Sequence, residues 1–202
     1  MLFPVLLIAL WISRAEAEWA LQMFTGTALN FATTLTIEQP DQETLRISAD
    51  YETRPWESAP YYSVRIGRWQ ERVAWELELT HHKIYLTNPP PSVQHFAVSN
   101  GYGLLMGNHA WENRGFIIRA GAGGVIAYPI TTIQGIKTSG GYRLSGFAVQ
   151  GSLEKRFFWG QKFFVSAEAK LTAAYAAITL ENAKAKVPNI ALHGLLGAGY
   201  KF

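Results

Sequence analysis

Apolar and polar residues alternate with a period of two along most of this chain, and no stretch shows the longer period of an amphipathic helix. The clearest run is Val73 to Leu86. Its odd positions are Val73, Trp75, Leu77, Leu79, His81, Lys83 and Tyr85, and its even positions include Glu76, Glu78, Thr80 and His82. One face is apolar through the middle and the other is charged. The same pattern predicts eight strands, at about 44–53, 61–68, 73–86, 94–106, 115–128, 142–157, 162–176 and 189–202. Several are longer than the ~5–6 residues usual in soluble sheets and approach the ~9–11 that cross a bilayer. An even count suits a closed antiparallel barrel, whose closure pairs every backbone group.

The connections alternate in length. Residues 69–72, 107–113 and 159–161 form one set of turns. Residues 54–60, 87–92, 129–141 and 180–188 form the opposite set and are mostly longer. Short turns inside and long loops outside are the pattern of membrane barrels. Aromatic rings gather near both sets. Trp69, Trp75, Trp111, Phe157, Phe163 and Tyr200 lie by the short turns, and Tyr51, Trp56, Tyr62, Tyr85, Phe96 and Tyr175 by the long loops. Two aromatic belts suit two membrane interfaces, whereas a soluble sandwich would hold these rings at mid-strand.

The first residues read differently. Leu2 to Ile12 is an unbroken apolar run, followed by Ala15-Glu16-Ala17, a small-x-small pattern that predicts cleavage of a leader over 1–17. The run is too short to span a bilayer as a helix. Residues 18–42 fall outside the eight-strand count and are expected to be a lumen plug, an extra strand pair or a lead-in to a barrel over 43–202. There is no cysteine, so an exported chain must hold itself together by burial and hydrogen bonding. The 18 Lys and Arg against 15 Asp and Glu are too evenly balanced and too scattered to indicate nucleic acid.

The chain closes on Leu195-Leu196-Gly197-Ala198-Gly199-Tyr200-Lys201-Phe202. A glycine, an aromatic at the third-last position and a terminal phenylalanine resemble the closing strand of bacterial outer-membrane β-barrels. The position that family prefers polar is Leu195 here. The resemblance implies an all-β, eight-stranded antiparallel up-and-down barrel in the outer membrane of a Gram-negative bacterium, monomeric and surrounded by lipopolysaccharide. It also implies that the insertion machinery reads Gly197, Tyr200 and Phe202.

Closing the turns tightly gives an expected register for the interior. Glu76 falls opposite Arg65, Glu78 opposite Gly101, Thr80 opposite Ser99 and His82 opposite Ala97, with Arg119 brought near Gly101 to face Glu78. Gln150, Glu168 and Lys170 take nearby inner positions, and Asp50 sits near Arg65. Inward charges in a barrel this narrow must pair. Asp50, Arg65, Glu76, Glu78, Arg119, Glu168 and Lys170 are therefore expected to form a lumen ion-pair network.

A second reading is enzymatic, because some small outer-membrane barrels are lipid A deacylases or acyltransferases. The candidates are Ser99 as nucleophile, His82 as base, Glu78 as its orienting carboxylate, and His95. The deacylase spacing of histidine and serine is two residues; here it is four, which separates His95 from Ser99 by about 13 Å along a strand. A third reading is a narrow pore for small apolar solutes. His81 and His82 point to opposite faces and do not make one metal site. Gly121, Gly123 and Gly124 lack the lysine and helix of a phosphate loop. No metal or cofactor is expected. Lys83, beside His81 and Tyr85 at the upper edge of the lipid face, is expected to reach for lipopolysaccharide phosphates. The sequence thus favours a non-enzymatic envelope or binding protein.

Overall fold

A computed structural model of the chain describes residues 17–202; the leader expected over 1–17 therefore lies, except for Ala17, outside the described residues. Thirteen strands appear among them, in one antiparallel sheet. Eight close a ring: β1 (Glu18–Phe31), β5 (Tyr62–Gln70), β6 (Val73–Leu86), β7 (Val93–Asn113), β8 (Phe116–Ala127), β11 (Arg143–Trp159), β12 (Phe163–Thr179) and β13 (Lys184–Lys201). Each pairs with the next in that order, and β13 returns to β1 from Ala20↔Lys201 to Phe31↔Ile190.

Strict alternation builds the wall. On β12 the outward residues are Phe163, Val165, Ala167, Ala169 and Leu171, and the inward ones Phe164, Ser166, Glu168, Lys170 and Thr172. Leu77 and Leu79, with Val149, Leu153, Leu192 and Leu196, are all exposed on the outside. An apolar surface that encircles the molecule is far larger than water tolerates on a monomer. It is a lipid-facing belt, and the barrel is a transmembrane one. Tyr62, Phe147 and Tyr175 mark its upper rim, and Trp19, Trp75, Trp159 and Tyr200 its lower.

Three expectations are corrected. The first strand of the ring is Glu18–Phe31, so of the three alternatives for 18–42 the extra strands hold, with β1 as wall, and plug and lead-in do not. On β1 the outward Trp19, Leu21, Met23 and Leu29 carry the alternation. The expected first strand, 44–53, lies outside the ring. It forms β3 (Leu45–Ala49) and β4 (Tyr51–Glu52), paired respectively to β2 (Thr33–Glu38) and to the top of β6. Both stretches alternate, and only pairing decides which one closes the barrel. The second correction concerns the expected turn at 107–113. β7 runs on to Asn113 and reverses at Arg114 and Gly115, whose φ of 52° and 76° suit a two-residue hairpin turn. The third is the register of β7 on β6. Glu78 sits opposite Met106, Thr80 opposite Leu104 and His82 opposite Tyr102. The register then shifts, and Ile84 meets Val98, so that Ser99, Asn100 and Gly101 bulge opposite Lys83.

Above the belt the sheet continues outward. β2 extends β13, and β9 (Ile130–Ile133) pairs with β7 and with β10 (Ile136–Ser139). The tips of the β2–β3 and β9–β10 hairpins are joined by two hydrogen bonds between Gln42 and Gln134, at 2.6 and 3.0 Å. Leu35, Ile37, Ile84, Phe96, Tyr102, Val125, Ile178 and Val187 form a continuous apolar core that fills this upper interior.

Gly197, in the closing motif, has a packing reason. It faces inward, where an added Cβ would overlap the Phe24 ring and lie 2.8 Å from the Met23 carbonyl oxygen. Only glycine lets β1 approach so closely here.

Candidate functional site

The lower half of the lumen holds a layer of charge. Among the described residues it contains four carboxylates, Glu76, Glu78, Glu154 and Glu168, and four cations, Arg65, Arg119, Arg156 and Lys170. Even spacing turns Glu76 and Glu78 of β6, Glu154 and Arg156 of β11 and Glu168 and Lys170 of β12 inward, and Arg65 of β5 and Arg119 of β8 stand on the same inner face. Arg65 bonds Glu78 at 3.0 Å and Glu168 at 2.8 Å. Arg119 grips Glu76 through two nitrogens, at 2.6 and 3.2 Å, and also pairs with Glu154 and, at 3.4 Å, with Glu168. Lys170 pairs with Glu78. Arg156 bonds Glu154 at 2.9 Å and lies over the rings of Trp69 and Phe164, closing the layer from below. Neutral amides complete it. Gln22 donates to Glu154, and Asn108 and Gln150 donate to Glu78.

Burying one such charge alone costs several kcal/mol. Equal numbers, each carboxylate meeting at least two cations, remove most of that penalty. All eight side chains are at most 5% exposed. The layer therefore seals the barrel across its width.

The structure brings together Arg65, Glu76, Glu78, Arg119, Glu168 and Lys170, with partners that differ from the expected register. Glu78 pairs with Arg65 and Lys170, and Arg119 takes Glu76 and Glu154; the expected Glu78–Arg119 pair does not form. Glu76 stands opposite Gly67 and only grazes Arg65, at 3.7 Å. Lys170 and Glu168 likewise sit 3.7 Å apart. Asp50 is not in the lumen: it is exposed in the outer extension, bonded to Asn88. Glu154 and Arg156 belong to the layer although the sequence reading omitted them. Their signal was parity, since both share the inward face of Gln150 on one strand.

Above the charges lies a neutral polar layer. Tyr61 Oη is 2.8 Å from His193 Nδ1, and Thr172 Oγ1 is 2.9 Å from His193 Nε2. His82 Nε2 is 3.1 Å from Asn30 Oδ1, which also accepts from Asn189. The enzymatic constellation does not assemble here. Ser99 stands in the bulge, and among the described residues no hydrogen bond joins it to His82, whose cross-strand neighbour is Tyr102. His95 is exposed on the outer part of β7, opposite Thr132. Glu78 is occupied by Arg65, Lys170, Ser63, Thr80, Asn108 and Gln150, which leaves it no histidine to orient. No group of three or more His, Cys, Asp or Glu side chains that could hold a metal occurs among the described residues.

Lys83 also departs from its expected place. The segment between β4 and β5 folds over the outside of β6. The Lys83 ammonium donates to the carbonyls of Arg54 and Glu57, both at 3.3 Å, and is fully buried. His81 stacks on Tyr62 and bonds the Pro60 carbonyl, and Arg54 covers the ring of Tyr85. Lys83 therefore holds a loop and does not face lipid.

Ring, belt and sealed lumen define the class: a small eight-stranded transmembrane β-barrel with the fold of bacterial outer-membrane proteins. Among solved structures the chain is similar to the outer-membrane protein AlkL, with a TM-score of 0.52 and 13% identity over 93% of this chain and 90% of that one. It is also similar to the outer-membrane protein OprG of Pseudomonas aeruginosa, with a TM-score of 0.51 and 10% identity over 94% and 97%. A looser likeness is to the attachment invasion locus protein Ail of Yersinia pestis, with a TM-score of 0.45 and 12% identity over 93% and 99%. No protein-family model and no curated protein matches the sequence.

Proposed function

We propose that this chain is an outer-membrane barrel with a non-catalytic role, structural in the envelope or binding through its outer extension. The observation that carries the reading is the self-neutral buried layer of eight charges, which blocks passage and leaves no carboxylate free for catalysis. The outer extension supplies a surface for binding. Between the tips of three outer hairpins lies a cavity of about 710 Å³ lined by Glu38, Gln42, Gln134, Ile136, Leu180 and Glu181, within the size range of small-ligand sites. The closing strand supports outward recognition by the insertion machinery, since Tyr200 and Phe202 project from the wall while Gly197 faces inward.

Two measurements test this. The purified barrel in planar bilayers is expected to be electrically silent; steady conductance would instead favour the pore reading. Lipid A from expressing cells is expected to keep its mass. A mass change abolished in Ser99→Ala or His82→Ala would establish the enzymatic reading.

A further inference from the structure

The outward face of β13 changes character two residues above the belt. Leu192 and Ile190 are exposed and apolar, and Pro188 lies opposite Tyr175, whose ring packs 5.9 Å from that of Phe147 at the aromatic rim. The next two residues on the same face are Lys186 and Lys184. At ~3.3 Å per residue, Lys186 stands about 7 Å above Pro188. That is the height of lipid head groups when the aromatic rim marks the interface.

Pairing widens this into a patch. Lys186 is opposite Thr36 on β2, and Thr36 is opposite Arg46 on β3, so Lys186 and Arg46 share one cross-strand row, two strand spacings or ~10 Å apart. Lys184 faces Glu38 in the row above. Lys186 Nζ donates to Glu38 Oε1 at 2.5 Å, and both side chains remain nearly half exposed. Three cations against one carboxylate leave a local excess of two positive charges. Of the other exposed acids of this region, Asp41, Glu43 and Glu181 lie at the hairpin tips, farther from the membrane, and Asp50 lies four residues below Arg46 on the same face, where it is bonded to Asn88. The excess thus faces sideways, continuous with the lipid belt, and does not face the solvent above.

We propose that Lys184, Lys186 and Arg46 dock the phosphates of an outer-leaflet glycolipid, with Glu38 as the built-in counter-ion that the phosphate displaces. This rests on the outer-membrane reading above. Lateral orientation and height select a lipid over a soluble anion, and the spacing of the cations accommodates two phosphates on one head group. The patch takes the place that the sequence suggested for Lys83.

The full chain, reconstituted in phosphatidylcholine vesicles with either bis-phosphorylated lipid A or its dephosphorylated form, is extracted in mild detergent and its retained lipid counted by native mass spectrometry. The wild type is expected to retain the phosphorylated form in at least tenfold preference, about the effect of a few cations at an anionic surface. The triple variant Lys184→Ala, Lys186→Ala, Arg46→Ala is expected to lose that preference while still floating with vesicles. Glu38→Gln is expected to increase retention, which a purely structural Glu38–Lys186 pair would not do. No preference in the wild type, or an undiminished one in the triple variant, would overturn the proposal. A wild-type chain that fails to float with vesicles would instead overturn the membrane reading beneath it.

Discussion

Arg119→Met isolates the energetic logic of the sealed lumen. The substitution keeps most of the side-chain volume and removes one cation from a set of four against four carboxylates. Glu76 loses both of its short bonds, Glu154 loses one of two close guanidinium partners, and Glu168 loses a contact at 3.4 Å. Breaking a buried pair by removing one member costs about 3–5 kcal/mol. That is a shift of about two to four powers of ten in the folded-to-unfolded ratio. With a urea dependence of about 3 kcal/mol per molar, the midpoint should fall by about 1–2 M. Adding Glu154→Gln restores three against three. The double variant should then recover about 2 kcal/mol relative to the sum of the single changes. Urea titration of tryptophan fluorescence in detergent micelles, with the heat-modifiable gel shift as a folding check, reads both numbers. If Arg119→Met shifts the midpoint by less than about 0.3 M, or the two costs simply add, the argument from charge balance is wrong.

Two further outcomes follow from the outer extension and the closing strand. The Lys186 ammonium bonded to Glu38 holds that carboxyl below its ordinary value of 4.5, so their attraction is present above pH 4.5 and fades as the pH falls through the lowered value. Carbon-detected NMR should place the Glu38 midpoint below 4.5 and move it upward in Lys186→Ala; an unmoved midpoint would contradict the pairing. Phe202→Ser should slow appearance of the heat-modifiable form in pulse-chase experiments while leaving the urea midpoint of assembled barrel little changed, because Phe202 projects outward and binds Trp19 through backbone atoms alone. A wild-type assembly rate would remove the recognition role of the terminal ring.

Alternation is a local property, so the faces of individual strands were readable residue by residue. Leu77 and Leu79 lie outside and Glu76 and Glu78 inside because successive side chains on any strand point oppositely. The inward parity of Gln150 extended to Glu154 and Arg156 by the same rule. Register is not local. The connection over 87–92 closes less tightly than expected and Ser99–Gly101 bulge opposite Lys83, and together these move β7 by five residues against β6 and exchange the partners of Glu78 and His82. The choice between Glu18–Phe31 and 44–53 as the first wall strand also lay beyond the pattern, since both alternate and only the closing strand β13 selects one. The burial of Lys83 was decided by a loop folding back across the wall, a contact between residues some 30 apart in the chain. The sequence by itself determined an apolar outside, an ionic inside and an aromatic closing strand. The tertiary structure decided which charges meet, because distances across a closed ring depend on every turn and bulge around it.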